Sequence, residues 1–85
     1  MNRIVKYIVS SEAVIKKHEG AKLLDVQIQN GCTCIWAVAD VLAKEVATQL
    51  VVVGTGWEVS ERTGEYIGTV QQGDFVWHYF TEGAA

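Results

Sequence analysis

The chain has 85 residues, 49% of them hydrophobic, with 7 Lys and Arg against 10 Asp and Glu and a formal net charge of −3. That length holds one hydrophobic core, so a single β-rich domain over residues 1–85 is expected, and so small a core favours a homo-oligomer. The acidic balance and scattered basic residues exclude a general surface for duplex DNA or RNA. No apolar run reaches membrane-spanning length, and Lys6 interrupts the N-terminal apolar stretch that a secretory signal needs, so the expected location is the cytoplasm, away from membranes.

There is no proline, and eight glycines punctuate the chain. Between them lie short segments with period-two patterning or β-branched runs, which read as strands. Arg3 to Val9 reads as the first strand, and Ala13 to Lys17 as a continuation of its sheet after a turn at Ser10-Ser11. Lys16 and Lys17 are the only basic pair, and on a strand they point to opposite faces.

Leu24, Val26 and Ile28 alternate with Asp25, Gln27 and Gln29, and the strand ends at Asn30-Gly31. This pair favours a type I′ turn, because both central residues need positive φ. Cys32 to Asp40 is the return strand. A two-residue turn sets Gln29 opposite Cys32, Gln27 opposite Cys34, Asp25 opposite Trp36 and Leu24 opposite Ala37. Opposed residues share a face, so Leu24, Val26, Ile28, Ile35, Ala37 and Ala39 form a core face. Asp25, Gln27, Gln29, Cys32, Cys34 and Trp36 form a polar face with a partly buried indole, on which Asp25, Gln27 and Trp36 are candidate interface residues. Cys32 and Cys34 are too close in sequence for an unstrained bridge and read as free thiols. A bare C-x-C with only His18 and His78 elsewhere lacks the spacing of a metal site, so no metal and no cofactor are expected.

Residues 41–49 are ambiguous, with one helical turn near 41–44 weighed against a loop. From Glu45 the β-branched run favours a strand that stops at Gly54-Thr55-Gly56. These two glycines around a hydroxyl read either as a tight turn or as a nest of N–H groups for an anion, with Trp57 beside it as a stacking surface. The segment lacks both the P-loop ending and the dinucleotide fingerprint. A last hairpin joins Tyr66 to Gln71 with Phe75 to Phe80 through Gln72-Gly73-Asp74. Tyr66, Gly68, Val70, Phe75, Trp77 and Tyr79 then share an aromatic core face, with Gly68 opposite or diagonal to Trp77. Ile67, Thr69, Gln71, Val76, His78 and Phe80 take the other face, where His78 reads as a structural histidine or a ligand contact. Glu82 to Ala85 should fray.

The fold class is therefore all-β, or β-rich with one short helix: a small antiparallel sandwich or barrel built from hairpins. No catalytic residue emerges. Glu58, Glu61 and Glu65 are unpaired in a polar loop, and no nucleophile signature surrounds Cys32, Cys34, Ser10 or Ser60.

VQIQNGCTCIWAVAD (26–40), VVVGTGWEV (51–59) and EYIGTVQQGDFVWHYF (65–80) resemble a family of small phage-encoded proteins of uncharacterised function. The motifs are the Q-N-G turn with a Trp on the return strand, the V-G-T-G loop, and the closing Y-I-G-T and F-V-W-H. Trp57 departs from the family, where a histidine or another polar residue is common. The resemblance implies a phage origin and a host-cytoplasm setting. By analogy with phage sponges, which sequester the nucleotide signals of CBASS or Thoeris immunity, the expected function is capture of a cyclic nucleotide second messenger. Trp36 and Trp57 would stack bases, and Gly54, Thr55, Gly56, Arg62, Thr69 and His78, with Arg3, would meet phosphates. The alternatives are a protein-protein interaction module that inhibits a host protein, with Trp36 and Trp57 as anchors, and a small nucleotide hydrolase.

Overall fold

The computed structural model describes residues 1–83, and they form two antiparallel sheets without a helix. The strands are β1 (Asn2–Ile8), β2 (Val14–His18), β3 (Lys22–Gln29), β4 (Cys32–Asp40), β5 (Glu45–Gly54), β6 (Thr63–Gln72) and β7 (Phe75–Glu82). One sheet has the order β1-β4-β3, the other β2-β5-β7-β6. The all-β expectation holds. The segment after Asp40 closes as a turn, with Ala43 N–H bonded to Asp40 O at 3.0 Å, so the helical turn considered near 41–44 does not form. β-branched residues from Val46 onward fit the pleated strand that follows.

The turn at Asn30-Gly31 has φ of 52° and 79°, the two positive values that a type I′ turn requires. Gly73 has φ of 60° and links Gln72 to Phe75 through a second two-residue turn. β2 does not extend the sheet of β1. It pairs with β5 in the other sheet, and the chain crosses between layers through residues 9–13. A polar tie bridges the crossing: His18 N–H donates to Tyr7 Oη at 3.1 Å, and the Tyr7 hydroxyl lies 2.8 Å from His18 Nδ1 in a second hydrogen bond.

Two bulges change which side chains face inward. In β3 the register slips between Leu23 and Asp25, so Leu23 opposes Ala37 and packs on the core while Leu24 is exposed. In β6 it slips between Tyr66 and Gly68, so Tyr66 opposes Phe80 on the outer face and Ile67 enters the core. An extra residue in one strand inverts the alternation beyond it, which corrects the expectation for Leu24, Tyr66 and Ile67. Gly68 lies opposite Tyr79, with Val70 opposite Trp77. A Cβ on Gly68 would meet Asp25 Oδ1 at 2.7 Å and Val26 Cγ1 at 2.8 Å, so its role is to admit β3 and not to seat an indole.

The core joins both layers through Tyr7, Ile15, Val26, Ile35, Ala37, Leu50, Ile67, Val70 and Tyr79. Cys34 was expected on a polar face, yet it is fully buried. Lys6 Nζ donates to Gln29 Oε1 at 3.0 Å, across β4, so the lysine stem crosses above the thiol while its charge stays in water. Of the frayed C-terminus expected from Glu82 to Ala85, Glu82 closes β7 and Gly83 N–H donates to Arg62 O at 2.6 Å; residues 84 and 85 lie outside the described residues.

Candidate functional site

β5, β7 and β6 are neighbours, and the register sets Val53 beside His78 and His78 beside Thr69. Side chains opposed in this way share a face. On that outer face Thr55 Oγ1 lies 2.8 Å from His78 Nε2, His78 Nδ1 lies 3.0 Å from Thr69 Oγ1, and Thr69 Oγ1 lies 2.6 Å from Tyr66 Oη. The V-G-T-G, Y-I-G-T and F-V-W-H motifs each contribute at least one member. Tyr66 joins only because the β6 bulge turns it outward.

A neutral imidazole donates at one nitrogen and accepts at the other, so the protons of this chain run one way or the other. With Nδ1 protonated, Thr55 donates into the ring and its oxygen is left to accept. With Nε2 protonated, Tyr66 donates to Thr69, Thr69 to Nδ1 and Nε2 to Thr55, which frees the Thr55 proton for an outside acceptor. Thr55 therefore adapts to an acceptor or a donor at the cost of one tautomer change.

Beside it, Gly54 to Trp57 forms a β-turn. Trp57 N–H donates to Gly54 O at 3.0 Å and Gly56 has φ of 91°, the left-handed third position that glycine occupies in a type II turn. Thr55 N–H donates to Val76 O at 3.2 Å. The Trp57 and Thr55 N–H groups are thus engaged in the turn and the ladder and do not point at a phosphate. What the turn does is aim the Thr55 hydroxyl at His78 and lay Trp57 across bare Gly54, whose missing Cβ would sit 2.8 Å from the indole.

The chain opens on a hollow of 240 Å³ lined by Val53, Gly54, Thr55, Gly56, Trp57, Val59, His78 and Phe80. Trp57 is 61% exposed, far more than a packing role would leave, and it also borders a larger opening of 670 Å³ at the end of the sandwich. There it meets Trp77 edge-on, with ring centres 5.5 Å apart, and Phe75 stacks on the far side of Trp77 at 14°. Neither hollow is lined by a charged side chain.

Of the expected site residues, the structure brings together Gly54, Thr55, Gly56, Trp57, Thr69 and His78. Arg62 lies elsewhere, 3.9 Å from Glu82, and Arg3 points at Met1 Sδ. Trp36, Asp25 and Gln27 stand on the outer face of the other sheet, so the two tryptophans do not meet around one ligand. Tyr66, Val59, Phe80 and Trp77 were not expected at the site. The tyrosine in Y-I-G-T was the available signal, but strict alternation had assigned it to the core.

Chemically, the cluster offers neutral hydroxyl and imidazole groups beside a flat apolar ring. His78 is placed to take the Thr55 proton, but its other partner is a threonine hydroxyl, so no carboxylate stabilises an imidazolium. Among the described residues no group of three or more His, Cys, Asp or Glu could hold a metal, and no helix is long and apolar enough to cross a membrane. The chain belongs to the family described as a domain of unknown function (DUF7352), whose profile matches residues 1–85. No curated protein and no solved structure matches it.

Proposed function

We propose that the protein is a binding protein that captures a cyclic nucleotide and does not turn it over, as a phage-encoded sponge acting in the host cytoplasm would. The observation that carries this reading is the convergence of the motif residues Thr55, Tyr66, Thr69 and His78 into one hydrogen-bonded chain that ends beside the exposed Trp57. A nucleobase has a π-face for the indole, and stacking of this kind contributes about 1–3 kcal/mol per base. The phosphate oxygen accepts from Thr55 with His78 in its Nε2-protonated form. Because the donors are neutral, a cyclic nucleotide with one charge per phosphate suits the hollow better than a triphosphate.

A second reading, an interaction module or inhibitor of a host protein, is favoured by the apolar outer face around Trp36. A third, slow hydrolysis of the same nucleotide, rests on the Thr55–His78 contact. One experiment separates the three. The purified protein is incubated with cyclic AMP, cyclic di-GMP, 3′,3′-cyclic GMP-AMP and cyclic ADP-ribose, then heated, and the released compound is identified by mass. Release of an intact nucleotide, with capture lost in Thr55→Val and Trp57→Ala, supports binding. An altered nucleotide identifies an enzyme, and no capture of any of them contradicts both nucleotide readings.

A further inference from the structure

The larger opening at the end of the sandwich follows from how the two layers end. Along β7, alternation places Phe75, Trp77 and Tyr79 on the face that looks toward the other layer. Tyr79 is 8% exposed, Trp77 is partly buried and Phe75 is 63% exposed. The gradient means that cover runs out along the strand. Opposite, the β3-β4 hairpin stops at Asn30-Gly31, and Gly31 with the small Ser10, Ser11 and Ala13 of the crossing borders the gap without filling it. What remains is a hollow of 670 Å³ with an aromatic wall of Trp57, Trp77 and Tyr79.

Its rim is preformed. Ala13 holds φ of 60°, a left-handed value that a non-glycine residue keeps only where its surroundings fix it. Here Ala13 N–H donates to Ser10 O at 3.0 Å, and Ala13 O accepts from Leu50 N–H at 2.8 Å. The polar character of the hollow is set by Tyr79, whose side chain is more than nine-tenths buried while its hydroxyl has no hydrogen-bond partner among the described residues. Thr63 Oγ1 is the one side-chain polar atom among them that is both enclosed and unpartnered. Tyr79 Oη therefore borders open space, and the hollow is the space that this side chain lines. A phenol there can donate and accept, and no charged side chain lines the walls to draw in an ion. An uncharged flat ring with a hydrogen-bonding edge fits both conditions.

We infer that this hollow takes the base of a nucleotide, a purine in preference to a pyrimidine, with its ring on the aromatic wall and its edge on Tyr79 Oη. A two-ring base covers more of the wall than a one-ring base. The identity of the ligand rests on the proposed nucleotide function. Trp57 borders both hollows, so a nucleotide whose phosphate meets Thr55 carries its base past the indole into the opening. The neutral ring and the phosphate are then held by different parts of the four-stranded sheet.

The test uses the full chain and adenosine, which carries the base and no phosphate. In indole N–H NMR spectra, adenosine at millimolar concentration should shift the Trp57 and Trp77 signals and leave that of Trp36, on the outer face of the other sheet, in place. Uridine should bind roughly threefold more weakly. Tyr79→Phe should weaken adenosine binding roughly fivefold and leave the denaturation midpoint unchanged, because the hydroxyl has no partner in the chain to lose. Shifts of all three indoles or of none, uridine bound as tightly as adenosine, or binding that Tyr79→Phe leaves unchanged would each overturn the inference. The proposed function fails separately. Adenosine bound as stated, with no cyclic nucleotide captured, keeps the base hollow and removes the phosphate site; a cyclic nucleotide that shifts His78 and not Trp77 keeps the phosphate site and overturns this inference.

Discussion

At the scale of single residues, neighbours settle what each polar group does. Tyr7 Oη accepts from His18 N–H and is also hydrogen-bonded to His18 Nδ1, which ties β1 to β2 across the layers. Tyr7→Phe should destabilise the fold by about 1–2 kcal/mol in chemical denaturation, because a part-buried donor and acceptor are left unpaired; an unchanged midpoint would mean that water replaces the hydroxyl. The other histidine sits between two threonines instead, and its tautomer stays free to answer a ligand. Asp40 shows how an exposed carboxylate is held. The Leu42 N–H, and next the Met1 amino group, keep its carboxyl below the usual carboxylate range. A folded-state pKa below that of a free carboxylate stabilises the fold at pH above the unfolded value, and the contribution disappears as pH falls through the lower, folded value. The Asp40→Asn variant should therefore show a shallower loss of denaturation midpoint below pH 4, and match the wild type in slope above pH 5.

Among the elements, the two hairpins were legible because their turns carry conformational demands that few residues meet. Asn30-Gly31 specifies its own geometry, and from it the pairing of Asp25 with Trp36 follows by counting. Counting fails at a bulge, and no residue announces either one here: Leu23-Leu24 and Tyr66-Ile67 are each two apolar residues in a row, so either can be the one that turns inward. The choice belongs to the tertiary contact between β3 and β6, where Gly68 admits Asp25 and Val26. Gly68→Ala should consequently cost about 1–3 kcal/mol, as an overpacked site does, measured as a shift in denaturation midpoint. No change would show that β3 can draw back. Most of the candidate site was legible from residue type. Thr55, Thr69 and Trp57 stood out beside glycines and His78 by its type, whereas Tyr66 was hidden by the bulge, and Arg62 was chosen by charge alone and lies by Glu82.

For the whole molecule, a thin two-layer sandwich has two outer faces, and this chain uses them differently. The β1-β4-β3 face leaves Ile4 and Ile8 exposed, with Lys6 reaching across β4 to Gln29. The β2-β5-β7-β6 face carries the hydroxyl–imidazole chain and an exposed indole, which suits a small ligand. Trp36 and Trp57, equivalent as unexplained aromatics in the sequence, lie on the outer faces of different sheets, and only Trp57 borders the proposed ligand hollow. The account predicts that Trp57→Ala loses nucleotide capture while Trp36→Ala keeps it, read from the mass of the compound that each heated variant releases. The most direct test is titration calorimetry of the four cyclic nucleotides named above against the wild type and Thr55→Val. Saturable binding of at least one nucleotide, weakened tenfold or more when the Thr55 hydroxyl is replaced by a methyl group, is the predicted result; binding that Thr55→Val leaves unchanged, or none at all by the wild type, would contradict it.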